Sequence, residues 1–98
     1  MENKTLFSVL IPNLGFSSFL LECLNSVTNQ KGAENREYEI ILCDQSDKSD
    51  YDHILKLIEE NYKDKIQIYH NDIKSLILAR HSLMEHARGE YILFVDRI

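Results

Sequence analysis

Three stretches of this chain are apolar without alternating, and no other feature constrains its fold as much. Leu6 to Ile11 is interrupted only by Ser8 and is closed by Pro12. Ile40-Ile41-Leu42-Cys43 runs from Glu39 into Asp44, and Tyr91-Ile92-Leu93-Phe94-Val95 runs into Asp96. A strand with one wet face alternates apolar and polar residues. A strand apolar at successive positions is covered on both faces, as in an all-parallel sheet flanked by helices.

The intervening segments have helical spacing. Leu20, Cys23, Leu24 and Val27 form one stripe, which predicts a helix from Ser17 or Ser18, the capping residue, to about Asn29. Gln30 to Arg36 is a polar connection, and the second strand is Tyr38 to Cys43. Tyr51, Ile54, Leu55, Ile58 and Tyr62 predict a second helix over about Tyr51 to Tyr62, with Ser49 and Asp52 at capping-box spacing before it. Ile66 to Tyr69 alternates, so it reads as a half-exposed edge strand. Leu76, Ala79, Leu83 and Ala87 predict a third helix with Gly89 just beyond it. The order β-α-β-α-β-α-β calls for a parallel sheet with right-handed crossovers.

Ninety-eight residues make one domain, 1–98, with room for a thin core. The net charge of −5 argues against a nucleic-acid surface, which needs a basic stripe. No apolar run reaches the length of a membrane span. Cys23 and Cys43 lack metal-ligand or redox spacing, so they read as buried, reduced thiols in a cytoplasmic setting. The fourth strand is apolar throughout and expects cover on both faces. This predicts that the chain is the first half of a larger domain, or that a second chain supplies the cover.

Ligands of open parallel sheets bind in the crevice beyond the strands' carboxyl ends. Asp44, Asp96 and the turn Pro12-Asn13-Leu14-Gly15 are all expected at that rim. A plainer role for Asp44 is to cap its own loop. The acidic stretch 44–52 is not a calcium loop, because Lys48, Ser49 and Leu55 stand where oxygen ligands and a glycine are needed. His53, His70, His81 and His86 have no metal-set spacing.

The ordered series Ser8-Val9-Leu10-Ile11-Pro12, Cys23-Leu24-Asn25-Ser26-Val27 with Gln30, Glu39 to Ser46, Ala79-Arg80 and Gly89 to Asp96 resembles the family 2 glycosyltransferases of the GT-A fold. The resemblance implies a Rossmann-like α/β domain with strand order 3-2-1-4, the nucleotide-binding first half of a GT-A domain. It implies that Pro12, Asn13, Leu14 and Gly15 wrap the nucleoside of a nucleotide-diphospho-sugar, a UDP-sugar first of all. Asp44 would take the base edge, and Arg80 would lie near the phosphates. Asp96 would open a DxD-type motif for Mg²⁺ or Mn²⁺, which Asp96-Arg97-Ile98 leaves incomplete. The general base is expected beyond Ile98. The implied reaction is inverting sugar transfer to a saccharide or lipid-linked acceptor in cell-surface polysaccharide synthesis, with the full protein at the inner face of the membrane and this fragment inactive alone. The sequence departs from the family pattern at Leu14, where an aromatic is common and Phe16 is the nearest substitute. It departs again at Gln45, where a second acid is common, and at Ser75, where glycine is common. The alternative is a non-catalytic α/β binding or assembly module that self-associates through its uncovered fourth strand.

Overall fold

The computed structural model describes residues 5–28, 38–62 and 65–95. The predicted connection over 30–36 and Asp96 lie outside them. The elements are β1 (Phe7–Asn13), α1 (Ser18–Thr28), β2 (Tyr38–Asp44), α2 (Lys48–Asn61), β3 (Gln67–His70), α3 (Leu76–His86) and β4 (Tyr91–Phe94). The sheet is parallel throughout, in the order β3-β2-β1-β4 that the sequence led us to expect.

The unbroken apolar runs follow from two covered faces. Val9, Ile11, Ile40 and Leu42 pack with Leu20, Leu24, Ile54 and Ile58 of α1 and α2 on one side. Leu10, Ile41 and Cys43 pack with Ala79 and Leu83 of α3 on the other. The first two crossovers step from β1 outward to β3 on one face. The third returns to the far side of β1, so right-handedness puts α3 on the opposite face. Full burial of each large aliphatic side chain contributes about 1.5–3 kcal/mol. Both cysteines are free and buried, and burial pushes both thiols up, which keeps them protonated and unreactive.

Three details differ from the sequence reading. β1 continues through Pro12 to Asn13. The Leu10 carbonyl faces β4 and the Asn13 carbonyl faces β2, so Pro12 turns its missing N–H toward the β4 side, past the last paired residue, Phe94. α2 starts at Lys48 with Asp47 as its N-cap, and Ser49 lies inside the helix rather than capping it. Leu76 is exposed instead of lining the inner face of α3. On β4, Tyr91, Leu93 and Phe94 are exposed, in line with the uncovered fourth strand expected from the sequence.

A buried carboxylate joins the amino ends of the strands. Ser8 Oγ donates to Glu39 Oε2 at 2.6 Å and the Arg88 N–H does so at 2.7 Å. Gln67 Nε2 and the Arg88 guanidinium reach Oε1 at 3.2 and 3.3 Å. Burial alone would raise the Glu39 pKa. The bonds from Ser8, Arg88 and Gln67, with the Arg88 charge, outweigh it and hold the carboxyl below its ordinary value. Gly89 N–H donates to Ser8 Oγ at 2.8 Å, so the network spans β1, β2, β3 and the approach to β4.

Candidate functional site

Two clefts of comparable size lie at opposite rims. One, of about 440 Å³, is at the amino ends of the strands among Thr28, Tyr38, Glu39 and Lys65. The other, of about 530 Å³, is at the carboxyl ends, where parallel sheets bind ligands. Its walls are Pro12, Asn13 and Leu14 from the end of β1, and Lys74, Ser75, Leu76 and Arg80 from the start of α3. Ser17, Phe19 and Gln45 complete it. We take the second as the candidate site.

The tips of β1 and β2 are tied behind this cleft. Asp44 is fully buried. Its Oδ1 accepts from Asn13 Nδ2 at 3.0 Å and from Ser46 Oγ at 2.7 Å, and its Oδ2 accepts from the Ser46 N–H at 3.2 Å. Asn13 Nδ2 also donates to the Gly15 carbonyl at 3.0 Å, and Gly15 N–H donates to Ser46 Oγ at 2.7 Å. Gly15 holds φ +86°, a left-handed conformation that a side chain disfavours, and this lets the loop fold back onto Ser46. His70 Nε2 lies 3.0 Å from the Ser46 carbonyl and 3.8 Å from Asp44 Oδ2. A carbonyl only accepts, so Nε2 carries the proton in this arrangement.

Gln45 does for the opposite wall what Asp44 does for this one. Its Nε2 donates to the Ser75 carbonyl at 2.9 Å and its Oε1 accepts from the Ser75 N–H at 3.1 Å. Ser75 in turn caps α3 through the Leu78 N–H. The residue that replaces a common second acid is therefore a neutral clamp on the first turn of α3. Arg80 stands on the next turn, with its guanidinium carbon 5.5 Å from the centre of the Phe94 ring. Below the cleft, Lys74 Nζ donates to Asp47 Oδ1 at 2.9 Å, which holds the Asp47 carboxyl low and the Lys74 ammonium high.

Of the sequence-predicted site residues, Pro12, Asn13, Leu14 and Arg80 line one cleft. Gly15 and Asp44 support it from behind. Phe16 is not in the cleft; it stacks on His53 at 4.2 Å. Phe19 is the aromatic that reaches the cleft, and its position one residue into α1 gave no sign of this in the sequence. Lys74 and Leu76 were also missed, since a loop lysine and an apolar first-turn residue carry no motif. Among the described residues no group of three or more His, Cys, Asp or Glu could hold a metal ion. The described residues do not by themselves make a metal site, and Asp96 lies outside them. Among the same residues no helix is long and apolar enough to cross a membrane.

This fold recurs in solved glycosyltransferase structures. The 1–349 fragment of S. aureus TarS superposes with TM-score 0.77 at 23% identity, covering 94% of this chain and 27% of that one. The same fragment in complex with UDP gives 0.73 at 23% identity, with the same coverage. The mannosyltransferase PcManGT of Pyrobaculum calidifontis, solved with GDP-Man and Mn²⁺, gives 0.77 at 16% identity, covering 95% of this chain and 27% of that one. At such identities the likeness concerns the fold, and this chain spans about a quarter of those proteins. No curated protein matches it by sequence. The sequence model of Glycosyl transferase family 2 matches residues 8–97, nearly the whole chain, and on that match the chain belongs to glycosyl transferase family 2.

Proposed function

We propose that residues 1–98 form the donor-binding portion of an inverting glycosyltransferase that takes a nucleotide-diphospho-sugar, a UDP-sugar first of all. The observation that carries this reading is the cleft between Pro12–Leu14 and Arg80, at the carboxyl ends of a family 2 sheet. The nucleoside lies against Pro12, Asn13, Leu14 and Gly15, and the phosphates point to Arg80. Asp44 meets the base when an imide N–H exchanges with the Asn13 amide on Oδ1. A carboxylate oxygen is a strong acceptor for such a donor. The Arg80 guanidinium stabilises the negative charge that grows on the leaving diphosphate. Asp96 is assigned to Mg²⁺ or Mn²⁺, which would supply further charge neutralisation; its remaining ligands and the general base belong to sequence beyond Ile98. The acceptor is a saccharide or lipid-linked glycan of cell-surface polysaccharide synthesis, at the cytoplasmic face of the membrane.

Thermal melting with UDP or GDP, each with Mn²⁺, tests the reading. UDP is expected to raise Tm, and Asp44→Ala is expected to abolish the rise. A second reading, a non-catalytic module that self-associates through β4, draws on the full burial of Asp44 and the exposure of Tyr91, Leu93 and Phe94. It predicts no shift with any nucleoside diphosphate and a concentration-dependent sedimentation coefficient.

A further inference from the structure

Lys74 stands at the meeting of two clefts. It lines the donor cleft with Arg80, and it lines a neighbouring one of about 480 Å³ with Asp47 and His70. The described residues include six Lys or Arg: Lys48, Lys56, Lys65, Lys74, Arg80 and Arg88. Two of these six line the donor cleft, and none of the cleft's described lining residues is Asp or Glu. Two cationic side chains on the wall of the cleft favour an anionic ligand there.

Asp47 occupies the N-cap position of α2, yet its side chain makes no capping hydrogen bond. An Asp in that position ordinarily accepts from an amide of the helix's first turn. Here the carboxylate is turned to Lys74 at 2.9 Å instead. Both side chains are at least half exposed, and exposed ion pairs of this kind are weak. Asp47 therefore has two alternative partners, the Lys74 ammonium and the α2 amides, and losing the first opens the second.

We propose that Lys74 is a ligand for the diphosphate of the bound nucleotide, and that Asp47 is a latch that holds Lys74 until phosphate displaces it. The inference rests on the donor-binding reading above and adds to it a second phosphate cation and an exchange. Phosphate takes the ammonium, and Asp47 swings back to cap α2. The ion pair lost is replaced by a charge-assisted bond to phosphate and a helix cap.

The test is calorimetric titration of the 98-residue chain with UDP and with uridine, at fixed Mn²⁺, for wild type, Lys74→Met, Asp47→Asn and the double variant. Both residues are exposed, so each variant is expected to fold, with circular dichroism as the check. Lys74→Met is expected to weaken UDP about tenfold, the size of one charge-assisted hydrogen bond, and to leave uridine unchanged. Asp47→Asn is expected to tighten UDP about threefold, by removing an exposed ion pair that competes for Lys74. That gain is expected to vanish in the double variant. UDP binding unaltered by Lys74→Met, or equal losses for UDP and uridine, would overturn the role of Lys74. A gain from Asp47→Asn that persists without Lys74, or no gain at all, would overturn the latch. If wild type binds neither UDP nor uridine, the donor reading falls and takes this inference with it.

Discussion

Replacing Glu39 by Gln tests whether the buried carboxylate at the amino ends of the strands holds the sheet together. The Glu39 side chain is only 7% exposed and receives four donors. In the Gln variant the amide oxygen can take the place of Oε2 and keep the Ser8 and Arg88 N–H bonds. They become neutral, at a cost of about 1 kcal/mol each. The amide NH₂ must then face Gln67 Nε2 and the Arg88 guanidinium, donor against donor. The guanidinium is 70% exposed, so its share is screened and adds less than about 1 kcal/mol. The sum is about 2–3 kcal/mol, or roughly 10–20 °C in Tm for a domain of this size. The pH dependence sharpens the test. The folded carboxyl lies below its ordinary value, so its stabilisation is complete above the ordinary glutamate pKa of about 4.3. It is lost as pH falls through the folded value. Gln cannot titrate, so the gap between wild type and variant is expected to narrow below about pH 4.3. Urea unfolding followed by circular dichroism at neutral and acidic pH measures both quantities. A neutral-pH loss under about 1 kcal/mol would refute the argument, as would a gap that stays constant on acidification.

Three further perturbations probe packing and backbone. A Cβ on Gly89 would sit 2.7 Å from Phe7 C, Ser8 N and Ser8 Oγ, and β1 is a central strand that cannot yield. Gly89→Ala is expected to cost about 2–3 kcal/mol by urea unfolding. Gly15→Ala meets nothing within 4 Å, so its cost is that of φ +86° alone, about 1–2 kcal/mol, read as a small drop in Tm. Leu24 is fully buried against the sheet, and Leu24→Ala is expected to cost about 3–5 kcal/mol, with the midpoint of urea unfolding as the readout.

The sheet was legible because its signal is redundant. Leu10 and Ile41 had to be apolar for α3, as Val9 and Ile40 had to be for α1 and α2, and that double demand is visible in any one strand. The rim was legible only in part. Pro12, Asn13, Leu14 and Arg80 could be placed by motif. Phe19, Lys74 and Leu76 could not, and the hydrogen bonds of Gln45 to Ser75 were hidden for the same reason: each is defined by what it meets across the fold rather than by its neighbours in sequence. The start of α2 was misplaced for a related reason. Asp47 and Ser49 are both good caps by composition, and the choice between them follows from the chain's exit from β2. Leu76 fits the inner stripe by spacing, yet α3 is apolar on several sides, so spacing alone did not fix which face meets the sheet.

The two buried carboxylates differ in a way that separates stability from binding. Glu39 is held by the Ser8 hydroxyl, the Gln67 amide, and the main-chain N–H and guanidinium of Arg88, donors drawn from three segments of the chain at the amino ends of the strands. Asp44 is held by the side chain of Asn13, the last residue of β1, and by the hydroxyl and N–H of Ser46 in the loop beyond β2, all of them neutral groups at the strand tips. Donors of that second kind can exchange with a ligand without moving the sheet. In Asp44→Asn the amide oxygen can still accept from Asn13 and Ser46 Oγ, and only the long 3.2 Å contact from the Ser46 N–H meets a donor. The cost is therefore expected to be about 1 kcal/mol, well under that of Glu39→Gln. The UDP-dependent rise in Tm should nonetheless shrink, because the oxygen left at the Oδ1 position is neutral and a weaker acceptor for the imide N–H than a carboxylate. If Asp44→Asn destabilises the chain as much as Glu39→Gln does, the carboxylate at the carboxyl ends is a structural staple like the one at the amino ends, and its exchange with a base is ruled out.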